Sequence, residues 1–333
     1  MTSSQETKTS YSRRFLWLGL FIVLLFGGYS AGWFWFAGRT ENEIRRAIAD
    51  INRDGVSASC VNSTVQGFPF RLGLFCDRLE YEDTRQRISA TTGNLRTAAQ
   101  IYQPTRTVLE IDGPLRLTAP DLPELEFNWD LLHASARLAN PLPQRVSVEA
   151  RKVTGQASFT DGAPIPLFTA EDVQTHMRPN GADIDLAATF TGLLVDPRAL
   201  QGRKLPVLDG SADTSWTNGV EMATSDGTSL RGQAGTIRSM TITSGGNTGA
   251  AVTGPWSIGD DGLLDADLRV TIQNPRELSR LLAEVIPEQR QPIETAFSGL
   301  ALLGDAPSLP LKVVKGKATL GFIPLGMLPP VAR

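Results

Sequence analysis

The chain has 333 residues, 20% of them charged, and a formal net charge of −3. Acidic and basic residues are mixed along the chain without a basic stripe, which argues against a nucleic-acid partner. Glycine, threonine, serine and proline are plentiful and long helical patterns are scarce, which is typical of an all-β body.

Residues 15–38 form one uncharged aliphatic and aromatic segment, preceded by Arg13 and Arg14. At 1.5 Å per residue it extends roughly 36 Å, more than the ~30 Å hydrocarbon core of a bilayer. Aromatic residues 33–36 lie at its end, where an interfacial belt is expected. We therefore predict a transmembrane anchor over residues 15–38. The alternative is a cleaved signal peptide, whose apolar region is normally shorter.

The orientation of this anchor follows less directly from the basic residues, because they occur on both sides of it. Short basic tails before a first span usually stay cytoplasmic, and long domains translocate largely regardless of charge. We expect residues 1–14 to form a cytoplasmic tail and residues 56–330 to form an exported β-rich domain. The basic residues considered are Lys8, Arg13 and Arg14 before the span, and Arg39, Arg45, Arg46 and Arg53 after it.

Residues 39–55 are predicted to form a separate juxtamembrane helix. Thr40 and Glu43 fit a capping box, and Gly55 is suited to end the helix. One helical face is apolar, and we expect it to pack on the β body rather than lie on the membrane. The residues of that face are Ile44, Ala47, Ile48 and Ile51.

The chain has two cysteines, Cys60 and Cys76. If the intervening segment is a hairpin centred on Phe68, the two face each other within disulfide reach. Closing this loop would contribute roughly 3 kcal/mol in the chain-entropy model. We predict a disulfide, which indicates an oxidising compartment. Two buried free thiols are the alternative, whereas a metal site needs more ligands than this pair provides.

The turn-prone segment Phe68, Pro69, Phe70 and Arg71 is the candidate binding surface. Two aromatic side chains beside an arginine at a turn suit contact with lipid headgroups or a partner protein. The alternative is a packed turn held by the disulfide.

Further along, apolar and polar residues alternate in successive segments, as in half-buried antiparallel strands. A parity switch after Leu131 predicts a β-bulge, and turn signals such as Asp161-Gly162 separate the segments. Two helices are predicted near the C-terminus, the first capped by Asn274, followed by two final strands. The predicted fold is mainly β, with a large antiparallel sheet body, either a curved sheet or half-barrel or a sandwich, and a C-terminal helical pair. The alternating segments are 109–119, 125–138, 146–150, 183–191 and 264–272.

Motifs for catalysis, metal binding or phosphate binding were not found. Asp260, Asp261, Asp265 and Asp267 resemble a calcium cluster, but a hairpin turn and the polar face of a strand explain them better. We therefore expect no catalytic residue, no cofactor and no enzymatic activity.

Four short motifs follow the N-terminal anchor: Gly67–Arg71, Cys76–Glu80, Asp261–Leu264 and Gly321–Gly326. Together with the anchor they resemble the bacterial family DUF2125. The resemblance implies a single-pass inner-membrane protein with a cytoplasmic N-terminus and its bulk in the periplasm, and it brings no catalytic residues. The architecture also resembles AsmA-like envelope proteins, in which an anchor precedes a curved sheet with an apolar groove.

Two functions are compatible with these features. The first is a tethered module that binds or guides phospholipid or another envelope lipid in an apolar β-groove. The second is a structural or assembly partner that contacts other envelope proteins through sheet edges or the C-terminal helices. Alternation alone leaves open whether the strands form an open groove or a closed core.

Overall fold

The computed structural model describes residues 11–53, 55–159, 162–225 and 229–331. It begins with a single helix, α1 (Tyr11–Ile51), whose 41 residues extend about 60 Å. This helix is long and apolar enough to span a membrane. Residues 1–10 of the predicted tail, with Lys8, and Asp161 of one predicted turn lie outside the described residues.

The prediction of a separate juxtamembrane helix was wrong, because α1 continues through residue 40 without interruption. The Thr40 hydroxyl donates a hydrogen bond to the Phe36 carbonyl oxygen (3.0 Å), within the helix, and Glu43 pairs with Arg46 (3.0 Å). An existing helix extends at one hydrogen bond per residue, so the capping residues did not need to start a new one. The helix ends at Ile51, before the predicted Gly55.

The chain reverses direction after α1. Gly55 has a φ of +87°, which glycine adopts readily. The Asn52 side chain donates to the Ala58 carbonyl oxygen (3.0 Å) and holds the reversal. The first strand therefore runs back along α1 towards its apolar segment.

Eleven strands form the first half of the sheet. They are β1 (Val56–Val61), β2 (Thr64–Gln66), β3 (Arg71–Cys76), β4 (Arg78–Asp83), β5 (Ile88–Thr92), β6 (Leu95–Gln100), β7 (Gln103–Ile111), β8 (Leu115–Thr118), β9 (Glu124–Asn128), β10 (Leu131–Arg137) and β11 (Arg145–Ser158).

The first ten of these are five long strands, each interrupted near its middle. Strand β2 continues β1, and both pair with the β3–β4 segment in one register, with Cys60 opposite Leu79 and Thr64 opposite Phe75. Strands β5–β6, β7–β8 and β9–β10 are divided in the same way, although the register shifts by one residue where β7–β8 pairs with β5–β6 and with β9–β10. Both halves of β9–β10 pair with β11 in one register. The interruptions therefore align as one break line across the sheet.

Polar contacts stabilise this break line. The Asn62 side chain donates to Asp77 (2.7 Å), and the Trp129 indole N–H donates to the Ile111 carbonyl oxygen (2.7 Å). The parity switch predicted as a bulge after Leu131 is therefore a strand break at residues 129–130, since the tryptophan side chain takes the place of a ladder hydrogen bond.

Nine further strands and three α-helices complete the chain. They are β12 (Ile165–Asn180), β13 (Asp183–Val195), β14 (Leu208–Thr217), α2 (Gly219–Thr224), β15 (Ala234–Ser244), β16 (Thr248–Ile258), β17 (Leu264–Gln273), α3 (Pro275–Val285), α4 (Arg290–Ala301), β18 (Ser308–Val314), β19 (Lys317–Leu320) and β20 (Ile323–Met327), with 3₁₀ helices Pro197–Leu200 and Pro287–Gln289.

All strands from β11 to β20 pair with their neighbours in chain order and antiparallel. Within the described residues the last strand does not pair with the first, so the sheet is an open meander rather than a closed barrel. The strands form a single sheet, so the sandwich that the sequence allowed as an alternative is not formed. The predicted C-terminal helical pair is confirmed as α3 and α4, although the Asn274 side chain donates to Thr248 instead of capping α3.

Candidate functional site

One face of the sheet is apolar over almost its full width. A central row of directly opposite residues crosses eleven strands, β6, β7 and β10 to β18, and contains no charge. At about 4.8 Å between neighbouring strands, the row extends roughly 48 Å along the sheet. Its members are Thr97, Leu109, Ala134, Val148, Thr175, Ala188, Ala212, Met240, Val252, Val270 and Leu309.

This apolar face is open. Met240 is 37% exposed and Ile242, its neighbour on the same face, is 50% exposed. Five of the nine buried hydrophobic residues of the sheet are alanines, and no second sheet covers the face among the described residues. The strands therefore present an open apolar surface rather than a sealed core.

At two glycine positions on this surface, an aromatic ring from the neighbouring strand occupies the space that a side chain would fill. Phe190 lies opposite Gly210, and a Cβ atom on that glycine would come within 2.3 Å of the Phe190 ring. Trp256 lies over Gly235 in the same way and contacts Trp216 edge-on, with ring centroids 5.3 Å apart. The rings lie flat on the face because their glycine neighbours have no side chain.

The first end of the apolar face lies under the C-terminal part of α1. Ile44 and Ile48 of the helix and Leu79, Tyr81 and Ala90 of the sheet line an almost wholly apolar cavity of about 420 Å³. Its volume is within the range of small-molecule binding sites. The expectation that this helical face packs on the β body is thus confirmed for these two isoleucines, whereas Ile51 is 52% exposed.

Cys60 and Cys76 also line this cavity, and they form the predicted disulfide, with Cα atoms 5.3 Å apart. Their predicted register was wrong. Cys60 faces Leu79, and Cys76 faces Leu95. The hairpin is centred between residues 69 and 70 instead of on residue 68, and the two cysteines meet diagonally across the break line.

The tip of the β2–β3 hairpin contacts α1 inside its apolar segment. The Phe68 ring lies 5.5 Å from the Trp33 ring centroid, and the Trp33 indole N–H donates to the Arg71 carbonyl oxygen (3.1 Å). One turn earlier, the Tyr29 hydroxyl donates to the Pro69 carbonyl oxygen. Trp33 is only 6% exposed as a result.

The four residues of the candidate binding surface therefore differ in their contacts. Phe68, Pro69 and the Arg71 carbonyl oxygen contact the helix, whereas Phe70 is 67% exposed and the Arg71 side chain has no ion pair with any described residue. Sequence reasoning missed the helix partners Tyr29 and Trp33. Their four-residue spacing, which places both on one helical face, was the available signal.

The opposite face of the sheet carries ion pairs. Asp185, whose side chain is 6% exposed, accepts hydrogen bonds from Arg238 (2.7 Å) and Arg178 (3.1 Å), and Arg238 also contacts Asp213. The Arg238 hydrogen bond, with those of Ser215 and Arg178, lowers the pKa of Asp185 to about 2. Asp213 and Asp185 in turn raise the pKa of Arg238.

We expect Asp185→Asn to destabilise the fold by about 2 kcal/mol at neutral pH. Because the pKa of Asp185 is lower in the folded chain than the unfolded value of 3.8, its stabilisation is present above pH 3.8 and is lost as the pH falls through about 2. Thermal unfolding of both proteins at pH 7 and at about pH 2 measures this. Equal melting temperatures at pH 7 would contradict it.

Among the described residues, no group of three or more histidine, cysteine and acidic side chains is placed to hold a metal ion. Two members of the aspartate cluster contact Lys315 instead. Its ammonium group lies 3.1 Å from an Asp261 oxygen, and its backbone N–H donates to Asp265 (2.8 Å). This agrees with their interpretation as turn and strand residues.

Comparison with known proteins identifies one family. The sequence model of one protein family, described as uncharacterised protein conserved in bacteria (DUF2125), matches residues 33–329. This range includes Trp33, which contacts the hairpin, and all twenty strands. No curated protein matches the chain. Because the match covers most of its length, the chain belongs to the DUF2125 family.

Proposed function

We propose that this protein is a non-catalytic, membrane-tethered module that binds lipid on its apolar face and guides it along the sheet. The observation that carries the proposal is the uncharged central row on an open sheet. A large exposed apolar surface normally marks a site for a ligand, a partner or a membrane. A surface about 48 Å long and one side chain deep suits acyl chains better than a compact ligand.

The position of α1 supports a membrane source for the lipid. Its apolar segment contacts the hairpin tip through Tyr29 and Trp33, which favours a retained anchor over a cleaved signal peptide. The helix then continues to Ile44 and Ile48, which line the apolar cavity at the first end of the sheet. A lipid that leaves the bilayer alongside α1 would reach this cavity first.

The compartment is part of the same proposal. The disulfide favours an oxidising environment, so we place the sheet in the periplasm, with α1 in the inner membrane and the N-terminus in the cytoplasm. The similarity to AsmA-like envelope proteins agrees with this arrangement but is an expectation from architecture alone.

Native mass spectrometry of the full chain, extracted from membranes in a mild detergent, tests the proposal. We expect phospholipid to remain bound after exchange into a detergent that removes loosely associated lipid. A chain that is lipid-free under these conditions and after organic extraction would contradict lipid binding.

A second function, assembly with another envelope protein, is favoured by the last strand. All five residues of β20 are exposed, and Phe322 in the preceding turn is fully exposed. Exposed apolar edge strands readily pair with another chain. Crosslinking in intact cells from a photoreactive residue at position 325 would recover one protein partner in stoichiometric amount if this function is correct.

A further inference from the structure

Three neighbouring turns at one end of the sheet carry exposed apolar side chains. They connect β2 to β3, β6 to β7, and β10 to β11. Their most exposed members are Phe70 at 67%, Tyr102 at 71% and Leu138 at 48%. We call these three turns the rim.

Backbone hydrogen bonds join the rim into one structure. The Ile101 N–H donates to the Phe70 carbonyl oxygen (3.2 Å), and the Leu138 N–H donates to the Thr105 carbonyl oxygen (2.7 Å). The first of the three turns also contacts Trp33 of α1. The rim is therefore held at a defined position beside the apolar segment of the helix.

An arginine row lies directly behind the rim on the polar face: Arg71, Arg106, Arg137 and Arg145. Arg137 lies directly opposite Arg106 on one side and Arg145 on the other. Arg71 and Arg106 line one cavity of about 350 Å³. Like charges directly opposite each other destabilise a sheet, so this arrangement works against folding.

None of the four arginines has an ion pair or a side-chain hydrogen bond with a described residue. The next arginine across the sheet, Arg178, differs because Asp185 neutralises it. On the same polar face, ion pairs form farther along these strands, between Arg96 and Glu110 (3.4 Å) and between Arg151 and Glu149 (2.6 Å), and they do not include the row. A guanidinium group is always charged, and its geometry matches that of a phosphate group. The row therefore presents four positive charges that lack an anionic partner among the described residues and that suit phosphate.

We propose that the rim and the arginine row dock onto the surface of the bilayer that α1 spans, with the arginines on the phosphates of anionic phospholipids. The depth of the rim relative to the bilayer agrees with this docking. Trp33 lies in the aromatic cluster at the end of the apolar segment, where the membrane interface is expected. The hairpin tip reaches one helical turn deeper, to Tyr29. The arginines then lie at headgroup level. This proposal requires α1 in a bilayer but does not require lipid on the apolar face.

Hydrogen exchange of the full chain in lipid nanodiscs tests it. The discs contain either phosphatidylcholine alone or phosphatidylcholine mixed with phosphatidylglycerol. We expect the amides of residues 101–106 and 138–145, in and beside the second and third turns of the rim, to exchange roughly tenfold more slowly in the anionic discs, since each basic residue near an anionic surface adds to the attraction. High salt should reduce the difference, because it screens exposed charges.

The variant R106Q/R137Q/R145Q should exchange at the same rate in both kinds of disc. Because it removes like-charge repulsion, it should melt at the same or a higher temperature than the wild-type chain. R85Q/R87Q/R276Q is the matched control. It also removes three exposed arginines without ion pairs to described residues, all of them away from the rim, and it should keep the wild-type difference.

Equal exchange of the wild-type rim in both discs would overturn the proposal, as would a wild-type response from R106Q/R137Q/R145Q. The same slowing caused by inorganic phosphate in phosphatidylcholine discs would also overturn it, since the row would then be a site for a free anion. Lipid-free protein in the native mass spectrum would leave this result unaffected, so the two proposals fail separately.

Discussion

Replacing Ile242 by aspartate is expected to lower the amount of phospholipid that co-purifies with the protein by at least about tenfold. The Ile242 side chain lies on the apolar face beside the central row and is 50% exposed. A carboxylate there would have to lose water when an acyl chain covers it, and burying an unpaired charge is strongly unfavourable. The folded chain itself keeps the carboxylate hydrated, so its free energy of unfolding should fall by about 1 kcal/mol or less.

Thr189→Asp is the matched control for this variant. Thr189 is also exposed on a strand, but on the polar face, so the substitution adds the same charge away from the proposed lipid surface. Lipid content measured by mass spectrometry of organic extracts should stay at the wild-type level. If both variants keep their lipid, or both lose it equally, the apolar face is not the binding surface.

Replacing Cys60 and Cys76 together by serine is expected to lower the free energy of unfolding by roughly 3 kcal/mol, because the disulfide closes a loop of 16 residues. The bond also joins β1 and β3 across the break line and borders the cavity under α1. Its loss should therefore loosen the first end of the sheet more than the last. Urea unfolding of the full chain in detergent measures the difference.

Reductant provides the control for the cysteine variant. It should lower the midpoint of unfolding of the wild-type chain to that of the double-serine variant and leave the variant unchanged. A wild-type midpoint that does not respond to reductant, together with an equally stable variant, would show that the disulfide contributes little.

Patterns that lie within one segment of the chain predicted their structure well. The apolar segment at residues 15–38 lies within α1, and the alternation at residues 183–191 and 264–272 lies within β13 and β17. The family was also recognised from short local motifs. In each case the deciding interactions are between residues close in sequence.

Local signals failed where a neighbouring element decided the outcome. Thr40 and Glu43 fit a helix start, but the helix formed by the preceding apolar segment continues through them. The residue opposite Cys60 depends on where the hairpin is centred. The observed centre differs from the predicted one by little more than one residue, and residues 67–70 alone do not determine it. Alternation assigned faces correctly but contains no information on whether a second layer covers them.

The proposed surfaces depend on pairings between distant parts of the chain. Arg106, Arg137 and Arg145 become neighbours only through the registers of β7, β10 and β11. The central row likewise depends on the registers of ten strand pairs. A slip of one residue in any of these registers would move every side chain of that strand to the other face. No single stretch of sequence carries this information.

The most direct test of the account is photocrosslinking in intact cells from a photoreactive residue at position 242, compared with the same residue at position 189. The account predicts phospholipid adducts at position 242, on the apolar face, and none at position 189, on the polar face. Adducts to protein alone at position 242, or equal lipid adducts at both positions, would contradict it.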